Sequence, residues 1–202
     1  IDTNSRLCMS SAVAGYKQTL GADAPPACYD DIHHAQCIFI AGSNTAYAHP
    51  IVFRRIEDAK NANPALKIIV CDPRKTDTAD IADLHLPIEP GTDVTLFNGM
   101  LHIMAWEGWL DDAYIAAHTT GFEALKATLR DYHPLAVAAT CGITKEALLQ
   151  AARLFAGMHQ GRGGPRVPTL SLYCQGLNQS SSGTAKNAAL INLHLATGQM
   201  GK

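Results

Sequence analysis

Two short apolar runs constrain this 202-residue chain more than any other feature: Cys37-Ile38-Phe39-Ile40-Ala41-Gly42 and Lys67-Ile68-Ile69-Val70-Cys71-Asp72. Each is continuous rather than alternating, as in a strand buried on both faces of a parallel sheet. Between them, Gly42-Ser43-Asn44 reads as a tight turn and Pro50 as the first residue of a helix. Ile51 to Ala62 carries apolar residues on one face, and Asn61-Ala62-Asn63-Pro64 stops the helix. Strand, helix and strand form one β-α-β unit of about 30 residues. Its right-handed crossover makes the two strands parallel.

The remaining chain supports the same class. Residues 8–20 read as a helix ending at Gly21, and Ala24-Pro25-Pro26 as a turn. Leu84 to Ile88 is a third, short strand. Glu89-Pro90-Gly91-Thr92-Asp93 caps a helix over about 94–107. Asp111 or Asp112 starts another helix, and 121–130 forms a further one. Thr144, with Glu146 in the first turn, opens a helix over 145–156. Gln160 to Pro168 is a Gly/Pro-rich basic loop, and residues 169–174 form the last strand. Ser180 to Ala196 is helical, with Gly198 just past its end. The expectation is one α/β domain over residues 1–202, Rossmann-like, with three αβα layers around a mainly parallel sheet.

Composition narrows the function. Hydrophobic residues make up 47%, enough for a real core, and the net charge of −2 gives no case for nucleic acid or an anionic membrane surface. No apolar run is long enough to span a bilayer, and no signal peptide opens the chain. The chain has no initiator Met, so it reads as a domain excised from a longer protein. Six cysteines without C-x-x-C or zinc spacing point to buried thiols in a reducing compartment. The expected location is cytoplasmic, with the periplasm as the alternative. Nine histidines, with only His33-His34 adjacent, read as surface or core residues.

In an open parallel sheet, ligands bind outside the carboxyl ends of the strands. There stand Gly42-Ser43-Asn44, Asp72-Pro73-Arg74, Pro90-Gly91-Thr92-Asp93, and the stretch Gly176 to Gly183 with Asn178 and Gln179. Backbone N–H groups and helix starts suit phosphates, and a carboxylate suits a ribose or base edge. Capping alone would explain any one of these turns, because Gly, Pro, Asn and Asp dominate turns. Four such turns on one edge argue for a nucleotide. The G-x-G-x-x-G fingerprint is absent, so an ordinary NAD site is not supported. Upstream, Arg6-Leu7-Cys8-Met9 places a thiol two residues after an arginine, at the expected start of a helix. That setting should lower its pKa and favour the thiolate that binds a soft metal. Cys8 is accordingly expected to be accessible and the most readily alkylated of the six thiols.

The motifs resemble the molybdopterin oxidoreductases of the dimethyl-sulfoxide-reductase superfamily, particularly the assimilatory and periplasmic nitrate reductase branch. They are Ser5-Arg6-Leu7-Cys8-Met9-Ser10-Ser11-Ala12, Gly42-Ser43-Asn44 with His49-Pro50, Cys71-Asp72-Pro73-Arg74-Lys75-Thr76, Pro90-Gly91-Thr92-Asp93 and Gly176-Leu177-Asn178-Gln179-Ser180. The resemblance implies that Cys8 coordinates the molybdenum of a bis(molybdopterin guanine dinucleotide) cofactor. It implies that Gly42, Ser43, Asn44, Asp72, Pro73, Arg74, Thr76, Gly91, Asp93, Gly176, Asn178 and Gln179 hold the guanosine and diphosphate of one pterin nucleotide. A 4Fe-4S cluster would lie upstream in the parent chain. The parent would reduce nitrate to nitrite by oxygen-atom transfer, with electrons from a donor protein or subunit. Other domains of the same chain would cover one face, leaving an apolar patch when they are absent.

A formate dehydrogenase shares this scaffold. In that group a histidine usually follows the metal-binding cysteine or selenocysteine, whereas Met9 follows Cys8, as in the nitrate branch. Met9 is thus the second candidate catalytic residue. One departure stands out: Cys174-Gln175-Gly176 occupies a place where close nitrate reductases often carry Cys-Met-Gly. A nucleotide-binding or structural domain, inactive in isolation, is the alternative from another class.

Overall fold

A computed structural model describes residues 4–158 and 165–201, with side chains from Leu7 onward. Part of the loop expected over 160–168, and the side chain of Arg6, lie outside the described set. The chain opens with α1 (Asn4–Leu20) and α2 (Asp31–His34). Strand β1 (Cys37–Ala41) leads through α3 (Thr45–Ala48) and α4 (Pro50–Ala62) to β2 (Lys67–Cys71). A 3-10 turn, Asp77–Ile81, precedes β3 (Leu84–Leu86). Five helices follow: α5 (Asp93–Trp106), α6 (Asp112–His118), α7 (Phe122–Leu129), α8 (Pro134–Cys141) and α9 (Lys145–Phe155). Then come β4 (Thr169–Tyr173), α10 (Gln175–Asn178) and α11 (Gly183–Ala196).

All four strands are parallel, in the order β3-β2-β1-β4. The β-α-β unit is therefore present as expected, and the fold is α/β. Alternate residues of the buried strands feed two cores, as the period of two requires. Phe39, Ala41, Ile69 and Cys71 face α5, α8, α9 and α11, while Ile38, Ile40, Ile68 and Val70 face α2 and α4. Phe39 is the centre of the first core, edge-on to Phe97 at 6.0 Å and to Phe155 at 5.4 Å. Three layers result.

Side-chain caps open α9 and α6. The Thr144 hydroxyl accepts from Ala147 N, and the Asp111 carboxylate from Tyr114 N. Three expectations need correction. Helix α1 begins at Asn4, upstream of Cys8, and is interrupted by non-helical dihedrals at Met9. Helix α8 went unread, because its apolar residues surround the axis and leave no stripe. The last helix begins at Gly183, because Ser180–Gly183 first closes a turn.

Burial is complete for Cys37, Cys71 and Cys141, and it pushes the Cys37 thiol up to about 12. No helix among the described residues is long and apolar enough to cross a membrane.

The edge strand β4 is fastened by a polar contact, Ser171 Oγ to His194 Nε2 at 2.6 Å. Desolvation lowers His194 to about 4. The unfolded imidazole titrates near 6.5, so between those values the unfolded chain holds the extra proton and stability rises with pH. Part of the residue still reaches the surface. Lowering pH from 7.5 to 5 should therefore remove roughly 1–2 kcal/mol through this residue. Urea unfolding at both pH values checks this; His194→Gln should flatten the slope, and an unchanged slope would assign it elsewhere.

Candidate functional site

The strand register sets the site's frame. Ala41 pairs with Cys71 and with Tyr173, and Cys71 with Leu86, so all four carboxyl ends are level. The chain runs from β1 outward to β3, then returns to place β4 on the other side of β1. The switch point therefore lies between β1 and β4, where ligands bind in such sheets.

Two glycines meet there. Gly176 N donates to Gly42 O at 3.0 Å. A Cβ on Gly176 would stand 2.6 Å from Gly42 Cα, and Gly42 itself has φ +55. Backbone approach this close requires glycine on both sides. Gly176 O accepts from Lys186 Nζ at 3.3 Å, and the same ammonium lies 2.7 Å from Asp93 Oδ2. Gly42, Gly176, Lys186 and Asp93 thus form one connected rim. Both partners of the ion pair are buried. The Cys71 thiol beneath them is pushed up by burial, then by the charges of Asp93, Cys141 and Asp72, with Lys186 opposing.

The β1 and β2 turns make a second group. Asn44 Oδ1 accepts from Thr78 Oγ1 at 3.1 Å, and that hydroxyl accepts from Ala46 N. Asp72 Oδ1 accepts from Arg74 N at 2.9 Å, while His85 Nε2 meets Asp72 O at 2.9 Å. Among the described residues, no carboxylate pairs the exposed cations Arg74 and Lys75. The Thr76 hydroxyl is buried without a partner. Gly91 is exposed near the end of the β3–α5 turn, and Pro73 is exposed beside Arg74.

Cys8 completes the site. Helix α1 crosses α11 at close range: a Cβ on Gly15 would meet Asn187 Cβ at 2.7 Å, and one on Gly183 would meet Ser11 Oγ at 2.6 Å. That crossing carries the start of α1 over α10. Cys8 Sγ then accepts from Gln175 Nε2 at 2.7 Å and lies 3.5 Å from Gln179 Nε2. Met9 and Leu7 are exposed beside it.

Several expected site residues are already engaged. Ser43 is buried and shares a 2.8 Å hydrogen bond with Thr45. Asn178 is buried, its Oδ1 accepting from Asn187 Nδ2 at 3.1 Å. Asp93 is held by Lys186. Cys8 is partly buried, whereas Cys28 is the exposed thiol. Exposure alone therefore does not single out Cys8 for alkylation. Sequence reasoning missed Lys186 and Thr78. The signal for Lys186 was a cation in the largely apolar helix that runs on through Ala188-Ala189-Leu190-Ile191. A groove of about 660 Å³ opens between the far ends of α1 and α11 and α6, and holds none of the predicted residues.

The chain is 46% identical over 201 residues to a nitrate reductase of Synechocystis sp., covering 100% of this chain and 27% of that protein. It is 41% identical to a periplasmic nitrate reductase of Desulfovibrio desulfuricans, over 99% of this chain and 27% of the relative. It is 37% identical to an F420-dependent formate dehydrogenase alpha subunit of Methanococcus maripaludis, over 100% of this chain and 28% of that subunit. The chain thus spans about a quarter of these relatives. The solved acetylene hydratase from Pelobacter acetylenicus shares the fold, with a TM-score of 0.77 at 24% identity, over 94% of this chain and 24% of the other. A family model for molybdopterin oxidoreductases matches residues 1–202, and the chain belongs to that family.

Proposed function

We propose that this chain is the cofactor-binding domain of a molybdenum-dependent nitrate reductase. The observation that carries the reading is the sulfur of Cys8, set at the strand rim with the amides of Gln175 and Gln179 directed at it. Among the described residues no three His, Cys, Asp or Glu side chains cluster to hold a metal. Cys8 therefore fits a single protein thiolate on a metal otherwise held by its cofactor.

The rim fits the guanine dinucleotide form of molybdopterin. Arg74 and Lys75 offer unpaired positive charge for a diphosphate. The orphaned Thr76 hydroxyl offers a buried polar partner. Asp72 keeps its second carboxylate oxygen for a ribose or base edge. Gly91 adds backbone N–H, and Gly42 with Gly176 lets a ligand approach the backbone closely. The exposed apolar residues Leu7, Tyr47 and Ile51 near this rim fit a surface covered by the rest of the parent chain.

When bound, the cofactor would supply the two-electron oxygen-atom transfer from nitrate, fed by an upstream 4Fe-4S cluster and a donor protein. The chain's own part is to hold the nucleotide, present one sulfur and orient it. Met9 beside Cys8 carries no titratable proton, which suits nitrate better than abstraction from a carbon. The isolated domain would be inactive. Free thiols fit a cytoplasmic parent, and the periplasmic relative marks the alternative.

Nitrate and formate assays run side by side on the full-length parent, with molybdenum and pterin analysis, test this reading. Nitrate reduction without formate oxidation is expected. Formate oxidation without nitrate reduction would assign the domain to the dehydrogenase branch.

A further inference from the structure

Gln175 joins two thiols through one amide. Cys174 Sγ donates to its Oε1 at 3.4 Å, and its Nε2 donates to Cys8 Sγ at 2.7 Å. An amide has a donor end and an acceptor end. With the acceptor end taken by Cys174, the NH₂ end is left to face Cys8. The support is firm: Leu177 N and Asn178 N both donate to Cys174 O, and the next residue, Gly176, is bonded to Gly42. Gln179, by contrast, is exposed and reaches the sulfur only at 3.5 Å.

We propose that Gln175 is a positioning residue that holds the Cys8 sulfur by an N–H···S bond and thereby sets how strongly that sulfur donates to the metal. The inference rests on the reading of Cys8 as the metal's thiolate. An N–H directed at a thiolate stabilises negative charge on sulfur. Charge kept on sulfur is not given to the metal, so the oxidised metal is less stabilised and its reduction potential rises. Hydrogen bonds to cysteine sulfur are an established lever of this kind. Methionine at this position would keep the length of the side chain and remove the donor.

The test uses the molybdenum-loaded, full-length parent as wild type, Gln175→Met, Gln175→Glu and Cys8→Ser. Molybdenum content and the midpoint potential of the Mo(VI)/Mo(V) couple are read, the latter by spin-resonance titration. Gln175→Met should keep its molybdenum and titrate at lower potential. Gln175→Glu, which places a carboxylate beside the sulfur, should titrate lower still. Wild-type potential in a fully loaded Gln175→Met overturns the inference. Loss of molybdenum from both Gln175 variants also overturns it, because the residue would then serve retention rather than electron donation. Cys8→Ser separates the two layers. If its spectrum matches wild type, the ligand reading itself falls. If its spectrum changes while the Gln175 variants keep the wild-type potential, only the role of Gln175 falls.

Discussion

Lys186→Met is expected to destabilise the domain by about 3–5 kcal/mol, the usual cost of stripping one partner from a buried ion pair. Lys186 Nζ lies 2.7 Å from Asp93 Oδ2, and both residues are buried. Methionine fills the space but leaves the carboxylate without its cation. The change also removes the donor to Gly176 O, 3.3 Å away, on the turn that carries Gln175. The pair fastens the start of α5 to α11 and to the β4–α10 turn. For a chain of this length the loss amounts to roughly 10 °C in Tm. The double variant Asp93→Asn, Lys186→Met should recover much of the stability, because no unpaired charge remains. Urea unfolding of the wild type and the two variants measures this. A loss below about 1 kcal/mol in Lys186→Met would mean that water reaches the pair.

The same pair marks the limit of what the sequence shows. Asp93 was legible as a turn residue at the sheet edge, but its partner lies on a helix far along the chain. No local pattern links the two. Ser43 and Asn178 were legible as loop polars, and the fold turns both inward to Thr45 and Asn187. By contrast, the β-α-β unit was plain, because a strand buried on both faces writes a continuous apolar run. The Thr144 cap was plain because its partner is only three residues away. Helix α8 carried its punctuation openly, Pro134 at the start and Gly142 at the end. It was missed because a helix apolar all round has no periodic stripe. The kink at Met9 left no signal among the small residues that follow it.

The junction of Cys8 with Gln175 and Gln179 lies between these cases. Each residue drew attention in the sequence, Cys8 through its motif and Gln175 through its departure from the family pattern. Their contact depends on the α1–α11 crossing at Gly15 and Gly183, which only the fold reveals.

Cys8→Ala carries the largest functional effect. The side chain is partly exposed beside the break in α1 at Met9, so its loss opens no core cavity, and the fold should persist. If Cys8 supplies the only protein ligand to the metal, turnover should fall by about 10³-fold or more, as when a group acting at the reacting centre is removed. Stability by urea unfolding should stay within about 0.5 kcal/mol of wild type, as for a substitution away from the core. The decisive measurement is therefore nitrate reduction by the full-length Cys8→Ala parent, with molybdenum content determined on the same sample. Loss of nitrate reduction with an intact fold is the predicted result. Wild-type turnover at full molybdenum content would contradict the ligand role of Cys8 and the function built on it.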